Sequence, residues 1–354
     1  MNNENYIREL NIGKVRLENN LILAPLAGVT DYPFRLICRA LGAGLTVSEM
    51  VHVTALTYKS KTTPTLTKRS EAERPFSIQL FGNKPEHFAN SVRFIIRNRL
   101  SELIDINMGC PAKQVVTSGS GSYLMKQPAL AREIIKACVD ASAEFGCDRV
   151  PITVKMRLGW DLDSINAVDY VKMAEDLGAE MVTVHARTYS MRFSGTPLYH
   201  HVAECKKAVK IPVVVNGDIN LYDSIKKVLD ITGADGVMIG RAAMGRIWIF
   251  NDILRQAAGK RMLDFSIADV IKLMKLHGRL VGTFYSDING VLSFRKQLLW
   301  YTKGWYDSAR LRERLKLVES PDEIDEILDE YLNRIGNLAL PENKIFNVYE
   351  KVYV

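Results

Sequence analysis

The chain has 354 residues, 47% of them hydrophobic and 25% charged, with 23 Gly and 12 Pro; that is the profile of a globular protein of about two ordinary domains, not of a disordered, collagen-like or low-complexity chain. No apolar run approaches the ~18–20 residues a membrane helix needs, the polar start MNNENYIREL is not expected to be a signal peptide, and five scattered cysteines form no CxxC pair, so a cytoplasmic chain with reduced thiols is expected. Forty-seven Lys+Arg against 40 Asp+Glu give a net charge of +7, which fits either a generic basic surface or a polyanionic partner.

Short apolar, β-branched runs recur at 21–24, 45–48, 76–80, 103–107, 152–156, 181–185, 212–216 and 236–239. Most are continuous rather than alternating, as parallel strands covered on both faces require. Helical patterns fill most gaps, at 33–41, 85–98, 129–144, 164–177, 198–208 and 222–232. Strand starts lie 24–31 residues apart except for one gap of 49, and each ordinary gap suits one strand–helix unit. Eight such units predict an α/β fold, a (β/α)8 TIM barrel of ~250 residues. A doubly wound open sheet is the weaker alternative, because no GxGxxG follows the first strand. Beyond about residue 250, long helical patterns take over at 267–285, 290–300, 308–318 and 321–335. The expected organisation is a barrel over 1–255, a small all-helical bundle over 256–336 and a tail over 337–354.

In a barrel, chemistry collects at the C-terminal ends of the strands. Those ends read Pro25-Leu26-Ala27-Gly28, Glu49, Gln79, Asn107 with Gly109-Cys110-Pro111, Lys155, His185, Asn216-Gly217-Asp218 and Gly240-Arg241. Buried polar groups need partners, so this many on one rim argue for a site. Gly217 and Gly240 after the last two strands let backbone N–H groups approach phosphate oxygens, and Arg241 adds a charge-assisted bond; tight turns are the bland reading. Lys155 and His185 could stabilise an electron-rich ring, and Gln79 suits the edge of a pyrimidine-like one. A phosphorylated redox heterocycle, FMN, is the natural candidate, although Lys155 read singly could be a Schiff-base lysine and His185 a core histidine. Cys110, on a Gly/Pro-bounded turn with no His close behind, reads as a general acid rather than a nucleophile. The small residues 118–122 read as a mobile lid. In the helical part, Arg295, Lys296 and Lys303 interleave with Phe294, Trp300 and Trp305; Lys296, Trp300 and Lys303 fall at i, i+4 and i+7 of one helix face. Phosphate contact with base stacking would use that mixture, as would a bundle core beside a solvated basic face. No metal site is expected.

Larger pieces carry a family resemblance: APLAGVTDYPFR (24–35), SEM (48–50), SIQLFG (77–82), DINMGCPAKQV (105–115), VKMRLGW (154–160), VHARTYSMRFSG (184–195), VVNGDI (214–219), GVMIGRAAMGRIWIF (236–250) and FRKQLLWYTKG (294–304). In this order they resemble the tRNA-dihydrouridine synthases, most closely the bacterial B-type branch. The resemblance implies an FMN enzyme that uses NADPH to reduce selected tRNA uridines to 5,6-dihydrouridine, with hydride passing from flavin N5 to uracil C6 and a proton from Cys110 to C5. It implies that Pro25, Leu26, Ala27, Gln79, Lys155, His185, Asn216, Gly217, Asp218, Gly240 and Arg241 line the flavin. Asn107, Arg187, Arg295, Lys296 and Lys303 are then expected toward the tRNA, in a monomer without membrane contact. Leu26 stands where the family usually has Met, and Tyr123-Leu124-Met125 departs from its usual Ala-Leu-Leu. The alternatives are an FMN barrel oxidoreductase acting on a free pyrimidine such as dihydroorotate, and an RNA-binding protein whose barrel has lost its chemistry.

Overall fold

Eight parallel strands close on themselves in the computed structural model, which describes residues 6–57, 63–262, 265–285 and 288–335. A hairpin comes first, β1 (Leu10–Ile12) with β2 (Val15–Leu17). The barrel strands are β3 (Leu21–Leu23), β4 (Leu45–Val47), β6 (Phe76–Phe81), β7 (Leu103–Met108), β8 (Ile152–Arg157), β9 (Met181–His185), β10 (Val213–Asn216) and β11 (Gly236–Ile239); the two-residue β5 (Val51–His52) resumes the second strand after Ser48–Met50. Closure is made where β11 pairs with β3, Val237 opposite Leu21, and β4 with β6, Thr46 opposite Phe76. Every strand lies within a residue or so of its expected position.

The hairpin was not expected, because strands of three residues carry too little pattern to stand out. Its Leu10, Ile12 and Leu17 pack with Ile22, Leu45, Leu103, Met181, Val214 and Met238 of the barrel. The Gly13 turn abuts Glu180 and Pro151 at the starts of β9 and β8. The hairpin therefore plugs the N-terminal end and leaves the C-terminal end as the opening.

The outer helices follow expectation with one late start: Ala167–Asp176 begins after a 3-10 turn, Leu162–Ser164, in which Asp161 and Ser164 cap each other. A short helix, Ile249–Ala257, also went unexpected. The C-terminal helices run Ile267–Tyr285, Ile288–Tyr301, Ser308–Leu315 and Pro321–Ile335, and their apolar faces meet around Val281, Phe294, Leu298, Ile324 and Leu328. They dock on the first strand–helix unit. Tyr285 Oη donates to Asp31 (3.2 Å), Gln297 Nε2 to the Val29 carbonyl (3.4 Å), and the Phe284 ring lies 5.1 Å from that of Tyr32. At Gly245 a Cβ would come within 2.6 Å of the Trp300 carbonyl, so the barrel and the Ile288–Tyr301 helix touch at backbone level. The expected 337–354 tail lies outside the described residues. No helix among the described residues is long and apolar enough to cross a membrane.

Candidate active site at the barrel mouth

Side chains alternate along a barrel strand, so residues two apart share the interior. This aligns Asp105 and Asn107 on β7, Thr153, Lys155 and Arg157 on β8, and Thr183 and His185 on β9. Strand register then sets Gln79 beside Asp105, Asn107 beside Lys155, and Arg157 beside His185. Above them opens a cavity of about 840 Å³, lined by all eleven residues expected at a flavin and by Asn107 and Cys110.

One chain of hydrogen bonds runs under this cavity to the backbone of the Cys110 turn. Asp105 accepts from Gln79 Nε2 (2.7 Å) and Thr153 Oγ1 (2.6 Å). A carboxylate only accepts, so Gln79 must turn its amide nitrogen down and its oxygen toward Asn107, whose Nδ2 donates to it at 2.7 Å. Asn107 Oδ1 is thereby left to accept from the N–H groups of Gly109 (3.1 Å) and Cys110 (3.0 Å). Burial raises the Asp105 carboxyl, against the lowering by its two hydrogen bonds and by Lys155. Asn107 thus shapes the Cys110 turn, with both ends of its amide taken within the protein.

Cys110 lines the cavity half-buried. Burial pushes its thiol above the ordinary value, more than the Ala112 N–H, Lys155 and Arg157 pull it down, so Sγ carries its proton at neutral pH. The expected lid over 118–122 is corrected by the structure. Ser120, Gly121 and Ser122 are buried, and the Ser122 N–H bonds the Cys110 carbonyl at 3.1 Å. At Gly121 (φ +61°) a Cβ would meet that carbonyl oxygen at 2.8 Å. Small residues here serve close packing: the segment is a buttress behind the thiol.

Cations crowd the adjoining wall, on β8 and β9. Burial, with the neighbouring Arg157, brings Lys155 down to about 8, while Asp105 and Cys110 oppose the shift; its Nζ donates to Asn216 Oδ1 at 3.3 Å. Burial and the surrounding Lys155, Arg157, Arg187 and Arg241 hold the His185 imidazole well below its ordinary value, and so neutral. Arg157, absent from the expected set, is 1% exposed and donates to the carbonyls of Gly109 (2.9 Å), Thr188 (2.8 Å) and Arg192 (2.7 Å). Its signal was the i, i+2 spacing from Lys155. Phe193, also missed, stands half-exposed between the guanidinium carbons of Arg157 (5.4 Å) and Arg241 (5.2 Å).

At the rim after β10 and β11, Gly217 adopts φ +132° and Asp218 φ +47°. Among the described residues no acceptor is found for the N–H groups of Gly217, Asp218, Gly240 and Arg241, and such unclaimed donors suit an anion. Asp218 accepts from Arg187 (3.0 and 2.5 Å) and Arg241 (2.8 Å); the Arg187 bonds lead in lowering its carboxyl. Arg187 itself is 2% exposed and also donates to the carbonyls of Ser194 (3.0 Å) and Gly195 (2.6 Å). It clamps the rim and presents no free charge to an RNA, a correction whose cause is this set of internal acceptors. Arg295 likewise spends its guanidinium on the carbonyls of Val318 (2.8 Å) and Leu317 (2.9 Å). Lys296 is exposed and stands at the barrel mouth, its Nζ 2.6 Å from where a Cβ on Gly28 would lie. Lys303 is exposed but lies past the end of the Ile288–Tyr301 helix, so the expected single face of Lys296, Trp300 and Lys303 does not form.

Residues 22–336 match the model of the family described as dihydrouridine synthase. The chain is 37% identical over 330 residues to tRNA-dihydrouridine synthase B of Vibrio parahaemolyticus, covering 93% of this chain and 100% of that protein. It is 39% identical over 314 residues to tRNA-dihydrouridine synthase B of Xanthomonas axonopodis pv. citri, covering 88% and 92%. Among solved structures, histamine dehydrogenase from Rhizobium sp. 4-9 superposes with a TM-score of 0.57 at 13% identity, over 95% of this chain and 65% of that one. A variant of NCR from Zymomonas mobilis gives 0.50 at 16% identity, over 74% and 93%. These two likenesses are of fold.

Proposed function

The chain belongs to the dihydrouridine synthase family, and from that premise we propose that it reduces uridines in tRNA to 5,6-dihydrouridine, with FMN as cofactor and NADPH as reductant. The observation that carries the reading is a single cavity that joins unclaimed N–H donors beside Arg241 at one end to a protonated thiol at the other. The residues fit the cofactor. Gly217, Asp218, Gly240 and Arg241 would hold its phosphate, while Gln79, Lys155, His185 and Asn216 would face its ring system and Pro25, Leu26 and Ala27 its flat side.

Bound FMN would supply the hydride chemistry of the reaction, with NADPH as reductant and uracil C6 as the hydride acceptor. The protein's own groups do the rest. The target base must leave its stack, at a cost of a few kcal/mol, to enter a pocket of this depth. Asn107 holds the turn that aims Cys110 into the cavity, and Sγ–H gives its proton to uracil C5. A thiol kept protonated by burial is the right species for that transfer. The Lys155 ammonium offers positive charge to a ring that gains electrons, and neutral His185 offers a hydrogen bond without a second full charge.

The same proposal assigns catalysis to residues 1–255 and RNA binding to 256–336, in a cytoplasmic monomer. Lys296 and Lys303 are the expected tRNA-facing cations, while Arg187 and Arg295 support the surfaces around them. The test is to incubate the flavin-loaded protein with NADPH and an unmodified tRNA transcript, then map dihydrouridine. Reduction of tRNA uridines with free uracil and orotate ignored is the expected result; turnover of the free pyrimidine alone overturns it.

A further inference from the structure

Across the mouth from the docked helices, the loops after β7, β8 and β9 carry aromatic rings that no step above uses. Trp160 and Tyr189 stack with ring centroids 3.9 Å apart and planes inclined by 23°. Tyr123 meets Trp160 edge-on at 6.5 Å, and Lys126 Nζ stands 4.6 Å from the Trp160 ring centroid. Two backbone bonds fix the loops to each other, Tyr189 N–H to the Gly159 carbonyl (3.0 Å) and Ser190 N–H to that of Trp160 (2.8 Å). The rings are therefore ordered before anything binds.

Their exposure sets them apart from core aromatics. Tyr170 nearby is buried, with its hydroxyl bonded to the Leu124 carbonyl. Tyr123, Trp160 and Tyr189 are only half-buried, and Lys126 is exposed. Among the described residues Tyr189 has Trp160 as its single ring partner and its hydroxyl has no hydrogen-bond partner, so the half-buried ring is not held by any other aromatic or polar contact. Neighbouring Asp161 accepts from Ser164 Oγ at 2.6 Å, and Lys126 is the cation set against the Trp160 ring.

Position then selects the ligand. Counting round the closed barrel from β3, β8 lies diametrically opposite, and the helices dock on the loop after β3. A strand of RNA whose uridine drops into the cavity must cross the rim on the far side, and withdrawal of that uridine leaves its neighbours with unstacked faces. An aromatic face with a cation beside it takes any base, since every base has a π-face. Resting on the tRNA reading above, we propose that Tyr189 and Trp160, braced by Tyr123 and flanked by Lys126, form a stacking platform for a nucleotide next to the target uridine.

The experiment measures binding of unmodified tRNA transcript to the flavin-loaded protein over a range of salt. Tyr189→Ala is expected to weaken binding about tenfold, within the usual effect of losing one base–aromatic stack, at an unchanged salt slope because no charge is lost. Tyr189→Phe should keep the affinity, whereas Tyr189→Leu, of similar bulk without a ring, should not. Lys126→Gln should flatten the salt dependence by about one phosphate contact. Tyr189→Ala binding as tightly as wild type, or affinity restored by Tyr189→Leu, overturns the platform. Should Tyr189→Ala fail to fold, the contrast between Phe and Leu still decides. Wild-type protein that binds no tRNA overturns the proposed function instead.

Discussion

The barrel mouth and the appended helices are both rich in polar and charged residues, yet they use them oppositely. At the mouth the groups are buried and interlocked, so that Asp105, Gln79 and Asn107 each dictate the orientation of the next. On the helices most charges are exposed, and many pair among themselves: Arg314 with Glu330, Lys316 with Glu313, Lys275 with Asp329 and Arg279 with Asp325. Such exposed pairs contribute little to stability and less to a distant ligand. Among the described residues Lys296, Lys303 and Arg310 have no carboxylate partner. The difference teaches that a polar residue is informative by its place in the fold, since burial without purpose is costly, whereas a count of surface charges overstates what is free to bind.

The largest effect is expected at the mouth. Cys110→Ala should lower dihydrouridine formation about 10²–10⁴-fold, the usual span for a lost general acid, while FMN stays bound. Flavin absorbance and single-turnover product measurement separate the two. Near-wild-type turnover would remove the thiol from its role and leave the mouth no more chemically committed than the helices.

A smaller effect follows from burying an ammonium there. Lys155 loses its proton at about 8 in the folded protein without cofactor, whereas an unfolded lysine keeps it to about 10.4. Between these values the unfolded chain binds more protons, so stability rises with pH across that window. Below pH 8 both states are charged and the whole cost of burial is present. Lys155→Met should therefore make the flavin-free protein more stable at pH 7, by roughly 1–3 kcal/mol, with the advantage fading toward pH 10.5. Urea unfolding of both proteins at pH 7, 9 and 10.5 checks the sign, since titrating groups that do not interact with Lys155 cancel in the difference.

How far the sequence revealed this follows from the same contrast. Continuous apolar runs such as 213–216 have few uses other than a buried parallel strand, so the barrel was legible, and with it the strand-end residues that line the cavity. Arg157 escaped because it sits at the very end of β8, one turn of the pleat beyond Lys155. Arg187 looked available because its partner Asp218 arrives on the loop after another strand, 31 residues later. Residues 118–122 misled for a different reason: small side chains signal freedom in an open loop and contact in a tight one, and only the Cys110 carbonyl over Gly121 distinguishes them. The hairpin was too short for its pattern to register.

The finest discrimination is within the helical region itself. Each phosphate neutralised by a protein cation contributes about 0.7–0.9 to the slope of log affinity against log salt. Lys296 and Lys303 are exposed and without carboxylate partners among the described residues, so Lys296→Gln with Lys303→Gln should flatten the slope for tRNA by about 1–2. Arg295 differs in kind. Its guanidinium ties the Ile288–Tyr301 helix to the Leu317 and Val318 carbonyls, so Arg295→Gln should lower the melting temperature and leave the slope nearly where it was. A slope that follows Arg295 and ignores the two lysines would mean that RNA binding rearranges the bundle enough to release that guanidinium, and that even a paired surface charge can be drawn into service.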